Sequence, residues 1–190
     1  MSIRHGLLAL LDRQPMYGYL LRNEFEATTG STWPLNVGQV YTTLGRLERD
    51  GLVEAVPGEG EAQRSYAITV RGREEVRRWF ATPVTREAPP RDELAIKLAL
   101  AVTIGGVDVR SVIQTQRTAT LRALQEYTRL KNAARDGELS WLLVLDSLVF
   151  AAEAEVRWLD HCEARLARSV AEVPRETPSH VVPEPQEVPR

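Results

Sequence analysis

The chain has 190 residues, of which 43% are hydrophobic and 26% charged, and its formal net charge is -2. A chain of this length holds one ordinary domain or two small ones, and its near-neutral charge means that any nucleic-acid surface must be a local patch created by folding. The single cysteine excludes a disulfide framework and a cysteine-rich zinc site, and no signal peptide or membrane span is visible, so we expect a cytoplasmic protein.

Two short helices are predicted at the start of the chain. The first has a leucine stripe on one side and ends at Gln14-Pro15. The second covers about residues 16–28 and is followed by Gly30, a usual residue after a helix end. Residues 31–35 are too short and too proline-bound for a helix. We therefore expect an extended segment there, with Trp33 packed into the core.

The third predicted helix begins after the N-cap residue Asn36 and ends near Asp50-Gly51. Apolar residues recur along it at steps of three and four, at Val37, Val40, Leu44 and Leu47. At about 100° per residue, the opposite face carries short polar side chains and arginines. These are Gln39, Thr42, Thr43, Arg46 and Arg49. Such a face suits a helix in the major groove, because hydrogen bonds read base edges and guanidinium groups bind phosphates. A solvated surface helix is the ordinary alternative.

A hairpin and a fourth helix follow the third helix. Residues 52–56 and 64–68 have the composition of strands, and the glycine-rich loop at residues 57–61 separates them. Thr69 is the predicted cap of the fourth helix. Its expected inner side consists of Val70, Val76, Trp79 and Phe80. This order of elements is the winged helix-turn-helix layout, in which Gln63 and Arg64 at the base of the wing are candidates for phosphate contacts.

The second half of the chain is predicted to be almost entirely helical. Residues 83–91 contain three prolines and form a linker, and helices are predicted over about residues 92–103, 108–136 and 139–170. Residues 171–190 contain five prolines without a repeating apolar face, and we expect them to be a disordered tail. The fold class is therefore mainly α, with a two-stranded wing in residues 1–82 and long helices in residues 92–170.

The last helix carries an apolar seam that Glu155 interrupts once. Its members recur at steps of three, four and seven, at Trp141, Leu145, Leu148, Ala152, Leu159 and Leu166. Helices this long usually have a partner chain, so the seam predicts a homodimer interface. The tryptophans Trp141 and Trp158 are read as interface core, and stacking on a planar or aromatic small molecule is the alternative.

The sequence contains no arrangement of residues that supports catalysis. Its histidines, His5, His161 and His180, are scattered, and no phosphate-binding glycine loop precedes a helix. We therefore expect no enzyme, no catalytic residue, no metal and no cofactor.

Three stretches of the N-terminal half are specific in combination: LLALLDRQPMYGYLLRNEF, WPLNVGQVYTTLGRLERDGLV and RSYAITVRGREEVRRWF. Over residues 3–80 this combination resembles the DNA-binding domain of PadR-type transcriptional regulators. The resemblance implies a homodimeric repressor on a palindromic double-stranded operator, nucleoid-associated when bound and released by a small-molecule effector near the dimer interface. It also implies that Tyr41 reaches a phosphate, although the ring could instead pack under the second helix. Tyr19 is expected to lie exposed near the DNA backbone.

One feature departs from the PadR pattern. Members of this family commonly carry basic residues along the wing, whereas the tip here carries Glu59 and Glu61. Acids near phosphate weaken binding, so we expect the tip to point away from the DNA. A winged-helix module that binds protein rather than DNA, and a small-molecule sensor or enzyme built on the helical half, remain the competing hypotheses.

Overall fold

The computed structural model describes residues 3–57, 64–85, 91–134 and 138–171. Within them the chain forms seven helices and three strands. These are α1 (Ile3–Leu11), β1 (Met16–Tyr17), α2 (Gly18–Thr28), α3 (Val37–Arg49), β2 (Val53–Pro57), β3 (Arg64–Ile68), α4 (Val70–Ala81), α5 (Glu93–Thr103), α6 (Val109–Ala133) and α7 (Leu139–Ala171). The predictions on the wing tip, on Gln63, on the middle of the linker and on residues 172–190 lie outside the described residues.

The two caps predicted from the sequence are confirmed. The Asn36 Oδ1 atom accepts a hydrogen bond of 2.8 Å from the Gly38 amide at the start of α3. The Thr69 hydroxyl oxygen accepts one of 3.1 Å from the Gly72 amide at the start of α4. Each cap satisfies an amide that the first helical turn leaves without a partner. The starts of α3 and α4 are thus set locally.

The first hydrophobic core joins α1, α2, α3 and α4 to the sheet. Val40, Leu44 and Leu47 are fully buried and hold α3 in this core, as the periodicity predicted. Val37 was assigned to the same stripe but is exposed. It is the first residue of α3, and the buried stripe begins one turn later than predicted, at Val40.

The sheet has three strands instead of the predicted two, in the order β1-β3-β2, and all pairs are antiparallel. Met16 and Tyr17 were assigned to the second helix, but they pair with Tyr66 and Ser65 of β3. The extended backbone at Tyr17 then leads directly into α2. The edge of β3 offers backbone hydrogen-bond partners that residues 16 and 17 could not use if they were helical. This explains why they form a strand and not the first turn of α2.

Besides Val37, three further aromatic or aliphatic side chains predicted to be buried are exposed: Trp33, Val70 and Phe80. In the 31–35 segment Leu35 occupies the core position, so Trp33 lies outside. Phe80 packs on the neighbouring Trp79 with ring centroids 4.8 Å apart, and Trp79 in turn stacks on His5. The aromatic side of α4 is therefore a surface cluster at the contact with α1.

The second hydrophobic core lies between α5, α6 and α7, around Leu98, Ile113 and Leu159. Helices α6 and α7 are antiparallel, since Arg117 in the first half of α6 pairs with Asp160 in the second half of α7, and Lys131 near the end of α6 pairs with Asp146 in the first half of α7. Glu155 faces α6, where its carboxylate accepts hydrogen bonds from Gln116 (2.9 Å) and from the buried Thr120. No helix within the described residues is long and apolar enough to cross a membrane.

The two halves touch where the end of α2 meets the start of α7. Gly30 has a φ of +59° there, and a Cβ on it would lie 2.2 Å from the Trp141 ring. Ser31 follows with a φ of +56°, which is unusual for a residue with a side chain. Glycine at position 30 therefore meets two needs: the left-handed backbone and the close approach of the indole.

Replacing Gly72 with alanine is expected to destabilise the N-terminal half by about 3 kcal/mol. The added Cβ would lie 2.2 Å from the Leu52 carbonyl oxygen, and this backbone atom cannot move without breaking the hydrogen bond that it accepts from Thr69. The matched control is Gly45→Ala, where a Cβ meets nothing within 4 Å and should stabilise α3 by up to about 1 kcal/mol. Thermal unfolding that places both variants at the wild-type midpoint would contradict this packing.

The pair between α1 and α4 predicts a small pH-dependent stability. The hydrogen bond from His5, with support from Arg78, holds the pKa of Glu75 below its ordinary value of 4.5. A lowered pKa stabilises the fold above the unfolded value, and this contribution is lost as pH falls through the folded value. Glu75→Gln should therefore lower the free energy of unfolding at pH 7 by less than about 1 kcal/mol, because the pair is partly solvated, and should approach wild type as the pH falls through the folded-state pKa of Glu75. Glu74→Gln removes an exposed neighbouring carboxylate and should leave the stability unchanged both at pH 7 and at low pH.

Candidate nucleic-acid interface

The outward face of α3 carries the residues proposed to read DNA. Gln39, Thr42, Arg46 and Arg49 are exposed, and Thr43 is half-buried beside them. The fully buried Val40, Leu44 and Leu47 on the opposite side fix the rotation of the helix. The structure thus brings five of the proposed DNA contacts onto one surface with a single orientation.

The charge of this surface is less neutralised than that of its surroundings. Neither Arg46 nor Arg49 makes an ion pair with any side chain in the described part of the chain. Several other arginines of this half are paired, at Arg4–Asp50, Arg13–Glu24, Arg22–Glu26 and Arg73–Asp12. Two unpaired guanidinium groups on one helix face form the local positive patch that the overall charge does not supply.

The two threonines of α3 use their hydroxyl protons inside the helix. The Thr42 hydroxyl donates to the Gly38 carbonyl at 2.8 Å, and the Thr43 hydroxyl donates to the Gln39 carbonyl at 2.7 Å. In this state each oxygen can still accept a hydrogen bond, and each methyl group is available for apolar contact. Both properties match features of base edges in the major groove, where amino groups donate and thymine offers a methyl group.

The two tyrosines beside α3 differ in their surroundings. Tyr19 is exposed on α2, as predicted. The Tyr41 ring lies against Gly18, where a Cβ would approach the ring to 2.7 Å, yet 44% of the residue remains exposed. Tyr41 therefore packs on α2 and still offers part of its surface to solvent. Contact of its hydroxyl with a phosphate stays a prediction.

Arg64, at the base of the wing, is already engaged within the protein. Its Nη2 atom lies 2.5 Å from Glu48 Oε1 of α3, and its guanidinium stands 5.5 Å from the centre of the Tyr66 ring. The ion pair with Glu48 ties β3, a strand of the wing, to α3. Its proposed partner Gln63 lies outside the described residues.

Two glutamates important for this surface were not recognised in the sequence. Glu48 holds Arg64, and Glu26 accepts hydrogen bonds from the Leu35 amide and Arg22, both at 3.0 Å. The bond from the Leu35 amide, with Arg22, keeps the pKa of Glu26 below its ordinary value. Glu26 thereby fixes the connection between α2 and α3. The Arg22 to Glu26 spacing of four residues was the available signal.

The residues predicted to form the dimer seam lie mainly against their own chain. Leu145 and Leu159 are fully buried and Ala152 is nearly so, which leaves them no free surface for a second subunit. Trp141, Leu148 and Leu166 are partly buried: Trp141 packs on Gly30, Leu148 borders a groove between α6 and α7, and Leu166 packs on the second core. The apolar seam is thus largely an intrachain contact between α6 and α7.

The two tryptophans considered for effector binding line different cavities. Trp141 borders the space between α2 and α7, and Trp158 borders one between α5, α6 and α7. At about 1.5 Å per residue they are about 25 Å apart along the helix. A single small ligand cannot contact both within one subunit.

The fold and the exposed cationic face of α3 define a winged helix-turn-helix DNA-binding protein. Comparisons with known proteins agree. Residues 7–78 match the transcriptional regulator PadR-like family, and residues 90–167 match the family described as virulence activator alpha C-term. The chain belongs to the PadR-like family of transcriptional regulators, which are not enzymes.

Relatives of known name support this assignment. The probable transcriptional regulator Rv1176c of Mycobacterium tuberculosis is 30% identical over 179 residues, which cover 84% of this chain and 95% of the relative. The negative transcriptional regulator PadR of Bacillus subtilis is 22% identical over 170 residues, covering 83% of this chain and 93% of PadR.

Solved structures share the fold over most of both chains. Bacillus subtilis PadR in complex with operator DNA has a TM-score of 0.67 at 18% identity, covering 87% of this chain and 99% of PadR. PadR in complex with p-coumaric acid has a TM-score of 0.70 at 18% identity, with 88% and 99% covered. The Vibrio cholerae virulence activator AphA has a TM-score of 0.65 at 23% identity, with the same coverage.

Proposed function

We propose that this regulator is a homodimeric repressor that binds an inverted-repeat operator in the cytoplasm and leaves it when a small molecule binds. Residues 1–82 would bind DNA, residues 83–91 would link the halves, and residues 92–170 would dimerise and bind the effector. The observation that carries the proposal is the outward face of α3, where Arg46 and Arg49 are unpaired beside Gln39.

A second subunit is supported by an apolar surface that the fold leaves uncovered. Leu139, Leu143 and Phe150 of α7 are each more than 60% exposed, and their spacing of four and seven residues puts them on one face. We call this face the outer α7 surface. Large apolar side chains in a row usually mark an interaction site, and a second copy gives the two α3 helices that a palindrome needs. The outer α7 surface replaces the seam predicted from the sequence.

Repression is the proposed sign of regulation, and activation is its alternative. The negative regulator PadR of Bacillus subtilis favours repression, whereas the match of residues 90–167 to a family named after a virulence activator favours activation. A reporter gene behind the operator distinguishes them. Deletion of the regulator raises expression if it represses and lowers expression if it activates.

Release by a small molecule is supported by one structural relative and by the cavities of this chain. Bacillus subtilis PadR has been crystallised with p-coumaric acid. In this chain, the cavities beside Trp141 and Trp158 have volumes of about 550 Å³ and 390 Å³. Such volumes are typical of small-molecule sites, which occupy about 300–1,000 Å³.

A gel-shift titration with the DNA upstream of the gene tests the proposal. We expect a retarded band at nanomolar protein whose affinity falls steeply as salt rises, because phosphate contacts release counterions. An unrelated duplex of the same length is the control. Equal affinity for both duplexes would contradict sequence-specific recognition, and no binding at low salt would favour a winged-helix module that binds protein instead.

The contact between Glu48 and Arg64 predicts opposite effects for two variants. If Arg64 also binds phosphate, Glu48→Gln frees the guanidinium and should tighten binding about 2- to 5-fold. Arg64→Ala should weaken binding to all sequences alike and reduce the salt slope by about one per half-site. Glu54→Gln removes the same charge from an exposed position of β2 and is the control. If both Glu48→Gln and Arg64→Ala weaken binding equally, Arg64 only braces the wing.

A further inference from the structure

The cavity between α5, α6 and α7 has an apolar body and one charged group. Its volume is about 390 Å³, and its walls include Leu98 and Val102 of α5 and Ile113 of α6. Helix α7 contributes Trp158, Cys162 and Arg165, at steps of four and three that keep the three side chains on one face. The cavity therefore combines a large apolar wall with a single guanidinium.

The charge of Arg165 is not neutralised by any carboxylate that the structure describes. Arg165 makes no ion pair with any carboxylate among the described residues, although α7 is rich in paired charges nearby. Asp160 pairs with Arg117 at 2.8 Å, and Glu163 is held by Gln114 at 2.8 Å and by Arg110 at 3.4 Å. The two carboxylates that shortly precede Arg165 in sequence thus bind α6, and the exposed guanidinium at the cavity keeps its hydrogen-bond donors for a ligand.

We propose that this cavity binds an apolar organic anion, whose carboxylate pairs with Arg165 while its aryl or alkyl body lies against Trp158. Guanidinium and carboxylate match in a planar, two-bond geometry, and the indole face adds apolar contact. The ligand class follows from charge complementarity, since Arg165 is exposed beside the apolar wall and an anion would pair with its guanidinium, whereas a neutral or cationic molecule would not. Because it names an effector site, this inference rests on the proposed function. Ligand binding itself is measured on the free protein, without DNA.

The cavity beside Trp141 offers a different environment. Its walls include Glu138 and Ser140, and no arginine or lysine is among its described lining residues. An anion in that space would meet a carboxylate instead of a guanidinium. The Trp158 cavity is accordingly the site that selects for negative charge.

Isothermal titration of the full-length protein with 2-naphthoate and decanoate tests the proposal. We expect saturable binding of at least one of these anions. Arg165→Gln should weaken it about 3- to 10-fold, because a charge-assisted pair with an exposed guanidinium beside an apolar wall is lost. The neutral analogues 2-naphthamide and decanamide should bind more weakly to wild type and should not distinguish it from Arg165→Gln. Arg157→Gln changes an exposed arginine of the same helix that pairs with no described carboxylate, and should stay within about 2-fold of wild type.

Cys162 provides a second readout of where the anion binds. It is the only cysteine of the chain and lines this cavity, so bound ligand should slow its modification by 5,5'-dithiobis(2-nitrobenzoic acid) several-fold. Ala99→Trp, which fills the cavity without removing charge, should abolish both protection and binding. The proposal is wrong if neither anion binds below about 1 mM, if Arg165→Gln binds like wild type, or if bound ligand leaves Cys162 unprotected. Binding without release of operator DNA would leave this site intact and contradict only its role as effector site.

Discussion

Introducing glutamate at both Leu143 and Phe150 is expected to convert the protein to a monomer and to weaken operator binding about 100-fold or more. The two side chains are 61% and 67% exposed on the outer α7 surface, so the change leaves the core of the subunit intact. These two positions would be buried against a second subunit. Unpaired carboxylates are strongly disfavoured in such a buried interface. Loss of the dimer separates the two half-site contacts, and the gain from linking them is about 10²- to 10⁴-fold.

Light scattering after size-exclusion chromatography measures the first effect, and a gel-shift titration measures the second. The matched control is Thr118→Glu with Gln125→Glu, which adds two charges seven residues apart on the exposed polar face of α6. The control should remain a dimer with wild-type affinity. A Leu143→Glu, Phe150→Glu variant that stays dimeric would show that the outer α7 surface is not the interface.

Replacing Arg46 with alanine is expected to weaken operator binding at least about 30-fold and to leave the melting temperature unchanged. Arg46 is exposed and makes no ion pair with a described side chain, so the fold does not depend on it. A bidentate contact to a base is worth about 1–3 kcal/mol, and a dimer loses two of them. If Arg46 binds phosphate instead, the loss is uniform across sequences and the salt slope falls.

Fluorescence anisotropy on the operator and on an unrelated duplex separates these two roles of Arg46. The control is Arg122→Ala, which removes an exposed arginine from α6, far along the chain from α3. It should retain wild-type affinity for both duplexes. Wild-type operator affinity in the Arg46→Ala variant would remove Arg46 from the DNA-binding surface.

Helix α3, the proposed DNA-recognition helix, could be predicted from sequence because local interactions determine where it begins and which side is buried. Asn36 caps α3, and the spacing of Val40, Leu44 and Leu47 fixes which side is buried. With that side known, the positions of Gln39 and Arg46 on the opposite face follow from helix geometry. The family resemblance led to the same helix from the identity of its residues.

The apolar surfaces of α7 could not be assigned from sequence, because the helix has two of them. Periodicity shows that Leu145 and Leu159 share a face, and that Leu143 and Phe150 share another. It does not show which face meets α6 of the same chain and which is left for a partner. The antiparallel packing of α6 on α7, visible in the Arg117–Asp160 pair, decides this.

Long-range pairing explains the remaining differences in the N-terminal half. Met16 and Tyr17 form a strand because β3, more than 40 residues later, offers a free edge. Arg64 likewise meets Glu48 only when the wing folds back on α3. Neither contact leaves a periodic pattern in the sequence, since each depends on elements that only the tertiary fold brings together.

Selection of duplexes from a random DNA library by the purified protein tests the central claim most directly. The account predicts an enriched inverted repeat whose half-sites lie about one helical turn, about 34 Å, apart, as a dimer presenting two α3 helices requires. The Gln39→Ala variant should select a repeat with relaxed preference at one base pair of each half-site. Enrichment of a motif without two-fold symmetry, or of no motif at all, would contradict the account.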